Sequence, residues 1–285
     1  MGDYGPSGAL PRAQPPSNPP LPSTSSDEIS VLVTGFGPFK TNFINASWLI
    51  ASSLPTSFDL PPPGEGSGET TFTPRKVSIT VHPAPIPVAY SAVRTAIPAL
   101  LADYADTHGG RQPDIVVHMG IAATRGYYSV ETRAHRDSYH MSDNRGQCGY
   151  DDGERLWREM QVPAMLQAGT VDEDGDGDGD GDGDGDGHGG VGKASGPRPP
   201  DDEFLALWKK FAGEDADVRV STDAGRYLCE FIFFTSLALA WLERRSRNVV
   251  FLHVPSSCTD EDVRVGREVA VAMIKAVVLS WIESR

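Results

Sequence analysis

The chain is 285 residues long, room for one large domain or two small ones, with 25 Lys plus Arg against 39 Asp plus Glu and a net charge of −14. Nine of the acids lie in the run 172–186, so the remainder sets 30 acids against 25 bases and offers no basic stripe to neutralise phosphates. That composition argues against a nucleic-acid partner.

Three cysteines, Cys148, Cys229 and Cys258, do not make a disulfide framework. The amino-terminal segment has no apolar run, and Arg12 is the one basic residue of residues 1–28, which fits neither a signal nor a transit peptide. The longest apolar stretch, Phe231 to Leu242, has 12 residues, too few for a bilayer core of ~30 Å. A reducing, cytoplasmic home away from membranes is the expectation.

Gly and Pro are unevenly placed: 10 fall in residues 1–28, 8 in 55–75 and 15 in 169–200. Residues 1–28 form a Pro/Ser-rich arm that cannot bury enough apolar surface to offset its ordering entropy, so disorder is expected there. The run Asp174–Gly187 alternates Asp and Gly, which reads as a low-complexity surface insertion at about 169–200. Asp172, Asp174, Asp176 and Gly177 copy the opening of a calcium-binding loop. No register has a bidentate Glu at its twelfth position, which is Gly in most of them, so no metal site is expected. Residues 29–285 are then one domain.

In chain order, Ile29–Thr34 reads as a buried strand and Ala46–Leu54 as a helix behind Asn45. Lys76–Val81 is a second strand. Pro87–Tyr104 has helical spacing that Pro98 should kink or restart. Asp114–His118 is a short strand ending near Gly120, and Tyr127–Ala134 is strand-like. Glu203–Phe211 is helical, Asp217–Val220 a strand, Arg226–Arg244 a long helix and Asn248–His253 a strand. Asp260–Glu283 is a helix, with Thr259 and Asp262 at capping-box spacing. Strands alternating with helices predict an α/β fold with a largely parallel sheet, whose sites gather at the carboxyl ends of the strands.

Three such ends carry chemistry. Thr34-Gly35-Phe36-Gly37-Pro38-Phe39 has a G-x-G turn, but Lys40 stands at the third glycine position and Pro38 lacks an amide donor, so a dinucleotide cofactor is not expected. Phe36 and Phe39 serve either as core filling or as an aromatic pocket wall. Cys229 falls in the first turn of a helix, where free amides and the dipole favour thiolate and can receive an oxyanion; a small buried apolar residue is the plainer reading. His253 ends a strand and could serve Cys229 as general base, and Glu131, if buried, is the carboxylate that would orient the imidazole. The histidines and cysteines show no metal-ligand spacing, and His118 reads as structural.

These motifs resemble pyroglutamyl-peptidase I, the cysteine peptidases that remove an N-terminal pyroglutamyl residue. The likeness rests on Thr34–Phe39, Asn45-Ala46-Ser47-Trp48, His118-Met119-Gly120, Ser221-Thr222-Asp223-Ala224-Gly225-Arg226-Tyr227-Leu228-Cys229 and Phe251-Leu252-His253-Val254-Pro255. It covers about 29–150 and 203–284. His135, Tyr139 and Asp143-Asn144 look closer to eukaryotic members.

The resemblance implies a three-layer α/β/α sandwich with a largely parallel mixed sheet, phosphorylase/hydrolase-like, and no cofactor. It places the nucleophile on Cys229, the base on His253 and the acid on Glu131, with Phe36, Phe39 and Tyr227 as substrate-binding aromatics and pyroglutamyl peptides as substrate. Arg136 departs from the family's usual asparagine. An alternative is a catalytically weak binder of blocked peptide N-termini on the same fold.

Overall fold

The computed structural model describes residues 28–40, 42–60, 75–169 and 199–283. The Pro-rich arm at 1–28 (except Glu28) and nearly all of the Asp-Gly insertion lie outside the described residues. The main sheet has the order β2 (Ser57–Leu60), β3 (Arg75–Val81), β1 (Ile29–Gly35), β4 (Ile115–Ile121), β9 (Val249–Val254), β5 (Tyr128–Glu131) and β8 (Val218–Ser221). β3, β1, β4 and β9 run parallel, β2 is antiparallel at one edge, and β5 is antiparallel to β9 with β8 parallel to it. The sheet is therefore mixed but mostly parallel, as expected. Two short antiparallel strands, β6 (Arg133–His135) and β7 (Met165–Gln167), stand apart from it.

Among the described residues, six α-helices accompany these strands: α1 (Ala46–Ser52), α2 (Tyr90–Thr107), α3 (Arg155–Glu159), α4 (Asp202–Ala212), α5 (Leu228–Leu242) and α6 (Asp260–Glu283). Residues of α1, α4 and α6 share a core on one face of the sheet, and residues of α2, α3 and α5 fill the other. Because side chains alternate along a strand, the sequence sorts them between these layers. Val117 and Met119 of β4 and Val250, Leu252 and Val254 of β9 join the first core. Val116 of β4 and Val249 and Phe251 of β9 join the second. The same parity puts His118, Gly120, His253, Ser129 and Glu131 on the α5 face.

α5 is buried around almost its whole circumference and is held by edge-on aromatic packing. Phe231 lies 4.8 Å from Tyr90 and 5.1 Å from Tyr139 between ring centroids, and Phe234 lies 4.6 Å from Trp157. The helix start is thereby fixed against the sheet. At α6 the expected capping box forms: Asp262 N–H donates to Thr259 Oγ1 and Thr259 N–H to Asp262 Oδ2, each at 3.2 Å.

Some expectations change. Within the Gly/Pro-rich 55–75 segment, β2 pairs with β3 and buries Leu60, a strand not read from the sequence. α2 runs through Pro98 without interruption, the proline standing on the exposed side. The strand-like run around Glu131 divides between β5 and β6 in different sheets. A π-helical turn at Tyr150–Glu154 and the short α3 were not read from the sequence; Gly153 packs there so closely that a Cβ would lie 2.4 Å from the Phe231 ring.

Candidate active site

Three neighbouring strands lay a row of side chains across the sheet. On β4, Gly120 pairs with His253 of β9, and His253 in turn faces Ser129 of β5. Glu131 lies two residues along β5 on the same face, so it reaches His253 diagonally. The His253 Nδ1 to Glu131 Oε1 distance is 2.8 Å, with Glu131 wholly buried and His253 only 4% exposed. An ionised carboxylate only accepts, so Nδ1 carries the proton and Nε2 keeps its lone pair.

Cys229 arrives from the helix layer. It is the second residue of α5, after Tyr227 in extended conformation, and Phe231 N–H is the amide that first bonds back, to Tyr227 at 2.9 Å. The amides of Leu228, Cys229 and Glu230 therefore precede the helical ladder and point at whatever sits at its start. A Cβ on Gly120 would come within 2.8 Å of Cys229 Sγ and 2.7 Å of the Phe251 ring. The sulfur therefore rests on the glycine that pairs with His253, and the Phe251 ring centroid is 4.7 Å from that of His253. In this resting arrangement no hydrogen bond joins sulfur and imidazole.

The thiol differs from expectation. Burial, reinforced by the negative charge of Glu131, pushes Cys229 up to about 12; Arg125 and the Cys229 amide pull the other way but are outweighed. At neutral pH the resting sulfur keeps its proton, so helix position alone does not supply a thiolate.

Beside Cys229, Glu230 is buried yet heavily bonded. It accepts His135 N–H at 3.0 Å, lies 2.8 Å from His135 Nδ1, and takes the Arg226 guanidinium on both oxygens at 3.0 and 2.8 Å. Burial raises its carboxyl, while His135 and Arg226 oppose the rise. This cluster ties the first turn of α5 to β6.

The aromatic residues separate by depth. Phe36 is 3% exposed and belongs to the core, as its plainer reading had it. Phe39 and Tyr227 remain partly exposed with ring centroids 5.3 Å apart, and Lys40 Nζ sits 4.9 Å from the Phe39 ring centre. Asn45 caps α1 through Ser47 N–H and donates to Gly37 O at 2.8 Å, and Asn144 donates to Pro38 O at 2.9 Å, so the Phe36–Phe39 turn is braced from two sides. Tyr227 Oη donates to Ser142 O at 3.1 Å, which joins the start of α5 to the same Asn144 loop.

Arg136 is engaged with Asp137 and with Val162 O at 2.7 Å, anchoring the segment that leads to β7. His118 is fully buried between Thr34 Oγ1 and Ser236 Oγ, each at 2.7 Å.

The sequence reading passed over Arg125 and Ser129. Arg125 Nη1 donates to Glu131 Oε1 at 2.8 Å and to Ser129 Oγ at 2.7 Å, and Nη2 to Asp223 O at 3.2 Å. The one available signal was a cation in the loop between the Gly120 strand end and Glu131. No group of three or more potential ligands that could hold a metal ion occurs among the described residues. None of their helices is long and apolar enough to cross a membrane.

A thiol at a helix start, beside an imidazole held by a buried carboxylate on an α/β sheet, is the equipment of a cysteine hydrolase. Known proteins agree. Pyroglutamyl-peptidase 1 of Mus musculus and of Homo sapiens are each 29% identical over 230 residues, covering 79% of this chain and 78% of theirs. Pyrrolidone-carboxylate peptidase of Thermococcus kodakarensis is 26% identical over 259 residues, covering 86% of this chain and 96% of its own. Among solved structures, pyroglutamyl peptidase I of Bacillus amyloliquefaciens superposes with a TM-score of 0.55 at 20% identity over 88% of this chain and 96% of that one. Pyrrolidone carboxyl peptidase of Pyrococcus furiosus gives 0.55 at 20%, over 88% and 99%. No protein-family model matches the chain. Over most of its length the chain is thus similar to pyroglutamyl-peptidase I proteins in sequence, and it shares their fold.

Proposed function

We propose that this protein is a cysteine exopeptidase that hydrolyses the bond after an N-terminal pyroglutamyl residue, with Cys229 as nucleophile, His253 as general base and acid, and Glu131 as the orienting carboxylate. The observation that carries the reading is the buried His253–Glu131 contact, one strand from the glycine on which the Cys229 sulfur rests.

The steps follow from these positions. Cys229 turns toward His253 Nε2 and transfers its proton as it attacks the carbonyl of the pyroglutamyl residue. Catalytic contacts of this kind are often loose before substrate binds. The imidazolium that forms is stabilised by Glu131, which offsets the penalty that burial places on the thiolate. The oxyanion develops at the start of α5, where the amide of Cys229 and its neighbours point. Collapse of the tetrahedral adduct breaks the peptide bond, and His253 gives its proton to the departing amine. A water molecule, deprotonated by His253, then cleaves the thioester and releases pyroglutamate.

Phe39 and Tyr227 provide flat apolar surface for the neutral lactam ring, with Phe36 beneath them as support. The lactam N–H and C=O would need polar partners in such a pocket, and a site that supplied them would reject the prolyl analogue, which lacks that carbonyl. The relatives are all named peptidases, so an inactive binder of blocked N-termini is not favoured.

The test is hydrolysis of a pyroglutamyl anilide by the purified chain and by Cys229→Ala. Release of the aniline by the first alone is expected. Undiminished release by the variant would remove Cys229 from its role, and no release by either would remove the substrate assignment.

A further inference from the structure

Glu131 is wholly buried, and its two oxygens are used unequally. Oε1 faces three groups: His253 Nδ1 at 2.8 Å, Arg125 Nη1 at 2.8 Å and Ser129 Oγ at 3.3 Å. Oε2 is buried with no hydrogen-bond partner among the described residues. A buried carboxylate stays ionised only when charge and hydrogen bonds replace water, and here Arg125 is the permanently charged neighbour able to do so. Without it, the buried charge of Glu131 would lose the cation that faces it.

Arg125 also reaches the loop from which Cys229 departs, through Asp223 O at 3.2 Å. One guanidinium thus bridges the β4–β5 loop, the carboxylate on β5 and the segment entering α5. Its planar fork satisfies these separate acceptors at once, which a flexible ammonium does less well.

We propose that Arg125 is a positioning residue of the peptidase site: it sets its positive charge against the buried Glu131 and holds that carboxylate aimed at His253 while clamping the 221–227 loop that delivers Cys229. This rests on the function proposed above and adds to it a residue that touches neither the sulfur nor the imidazole. Facing the cluster are Glu131 on β5, His253 on β9, and Cys229 and Glu230 on α5, the last already paired with Arg226 and His135. Beyond Tyr127, whose ring centre is 5.8 Å from the Arg125 guanidinium carbon, lies the Arg219–Asp217 ion pair. The positive charge of Arg125 also favours the Cys229 thiolate.

Loss of a cation raises the proton affinity of every group it faces. Arg125→Gln should therefore move both limbs of the pH dependence of kcat/KM to higher pH by roughly one unit, and slow alkylation of Cys229 at fixed pH about tenfold, followed on the peptide that contains Cys229. kcat for a pyroglutamyl anilide should fall roughly tenfold to a hundredfold. Arg125→Lys, which keeps the charge but loses the fork, should hold the limbs at their original pH and recover part of kcat.

A folded Arg125→Gln with unmoved limbs and unchanged alkylation would overturn the proposal even if kcat fell. If that variant does not fold, Arg125→Lys decides: limbs displaced upward despite the retained charge would overturn it equally. Slowed alkylation in a chain that never cleaves the anilide would uphold the role of Arg125 and reject the substrate. Normal cleavage with static limbs would do the reverse.

Discussion

Two buried histidines on neighbouring strands sit in the same layer and behave as opposites. His118 on β4 is packed between two neutral hydroxyls, and burial alone drives it down to about 3. His253 on β9, paired with the glycine two residues after His118, is bonded instead to a carboxylate. Hydroxyls can satisfy both ring nitrogens but bring no charge to balance a proton, so His118 is locked neutral as a strut between β1, β4 and α5. A carboxylate gives the ring a use for a second proton. The partner, more than the histidine or its depth, separates structure from chemistry.

The sharpest break of this comparison is to remove each ring. His253→Ala should lower kcat for a pyroglutamyl anilide by roughly a thousandfold or more, whereas His118→Gln should change it by less than about tenfold where the protein remains folded. Glu131→Gln keeps the shape of the carboxylate but not its charge, and a loss of roughly a hundredfold to ten-thousandfold is expected in the same assay. Equal losses from all three variants would end the distinction between the two histidines.

A smaller effect comes from crowding. Gly120→Ala puts a methyl group onto the sulfur and the Phe251 ring, so Cys229 must leave its seat. Turnover should drop at least tenfold, an estimate from the displacement sensitivity of reacting groups. The melting temperature, measured alongside, should fall as well.

His118 contributes its own share to the dependence of stability on pH. Its folded pKa lies below its unfolded value of 6.5, so the unfolded chain binds the extra proton. Stability is full above pH 6.5 and declines as pH falls toward 3. The contribution lost between pH 7 and 5 is about 2 kcal/mol. Urea titrations at the two values should detect it, and His118→Gln should flatten that slope. The mildest contrast concerns thiols: alkylation of Cys229 at pH 7 should lag behind that of exposed Cys148 and gain on it as pH rises.

Much of this was legible in the residues, for physical reasons. Strands such as Val249–Val254 announce themselves by unbroken apolar runs, and Thr259 with Asp262 marked the start of α6 by local spacing. Cys229, His253 and Glu131 could be singled out because each stands where a strand meets a turn or helix. What stayed hidden depends on contacts between distant segments. The Arg125 clamp joins three loops and strands that no periodicity links, and β2 forms because β3 offers it an edge. The Cys229 thiol was misjudged for the same reason. Helix position is local and readable, whereas the burial and the Glu131 charge that overcome it come from packing.

The most direct measurement is the chemical fate of the sulfur during turnover. The protein should be mixed with an activated pyroglutamyl ester, quenched in acid within one turnover, and digested for mass spectrometry. A pyroglutamyl group in thioester linkage on the Cys229 peptide, absent when His253 is replaced by Ala, is the predicted result. Hydrolysis that proceeds with Cys229 never acylated, or with the acyl group on another residue, would contradict the account.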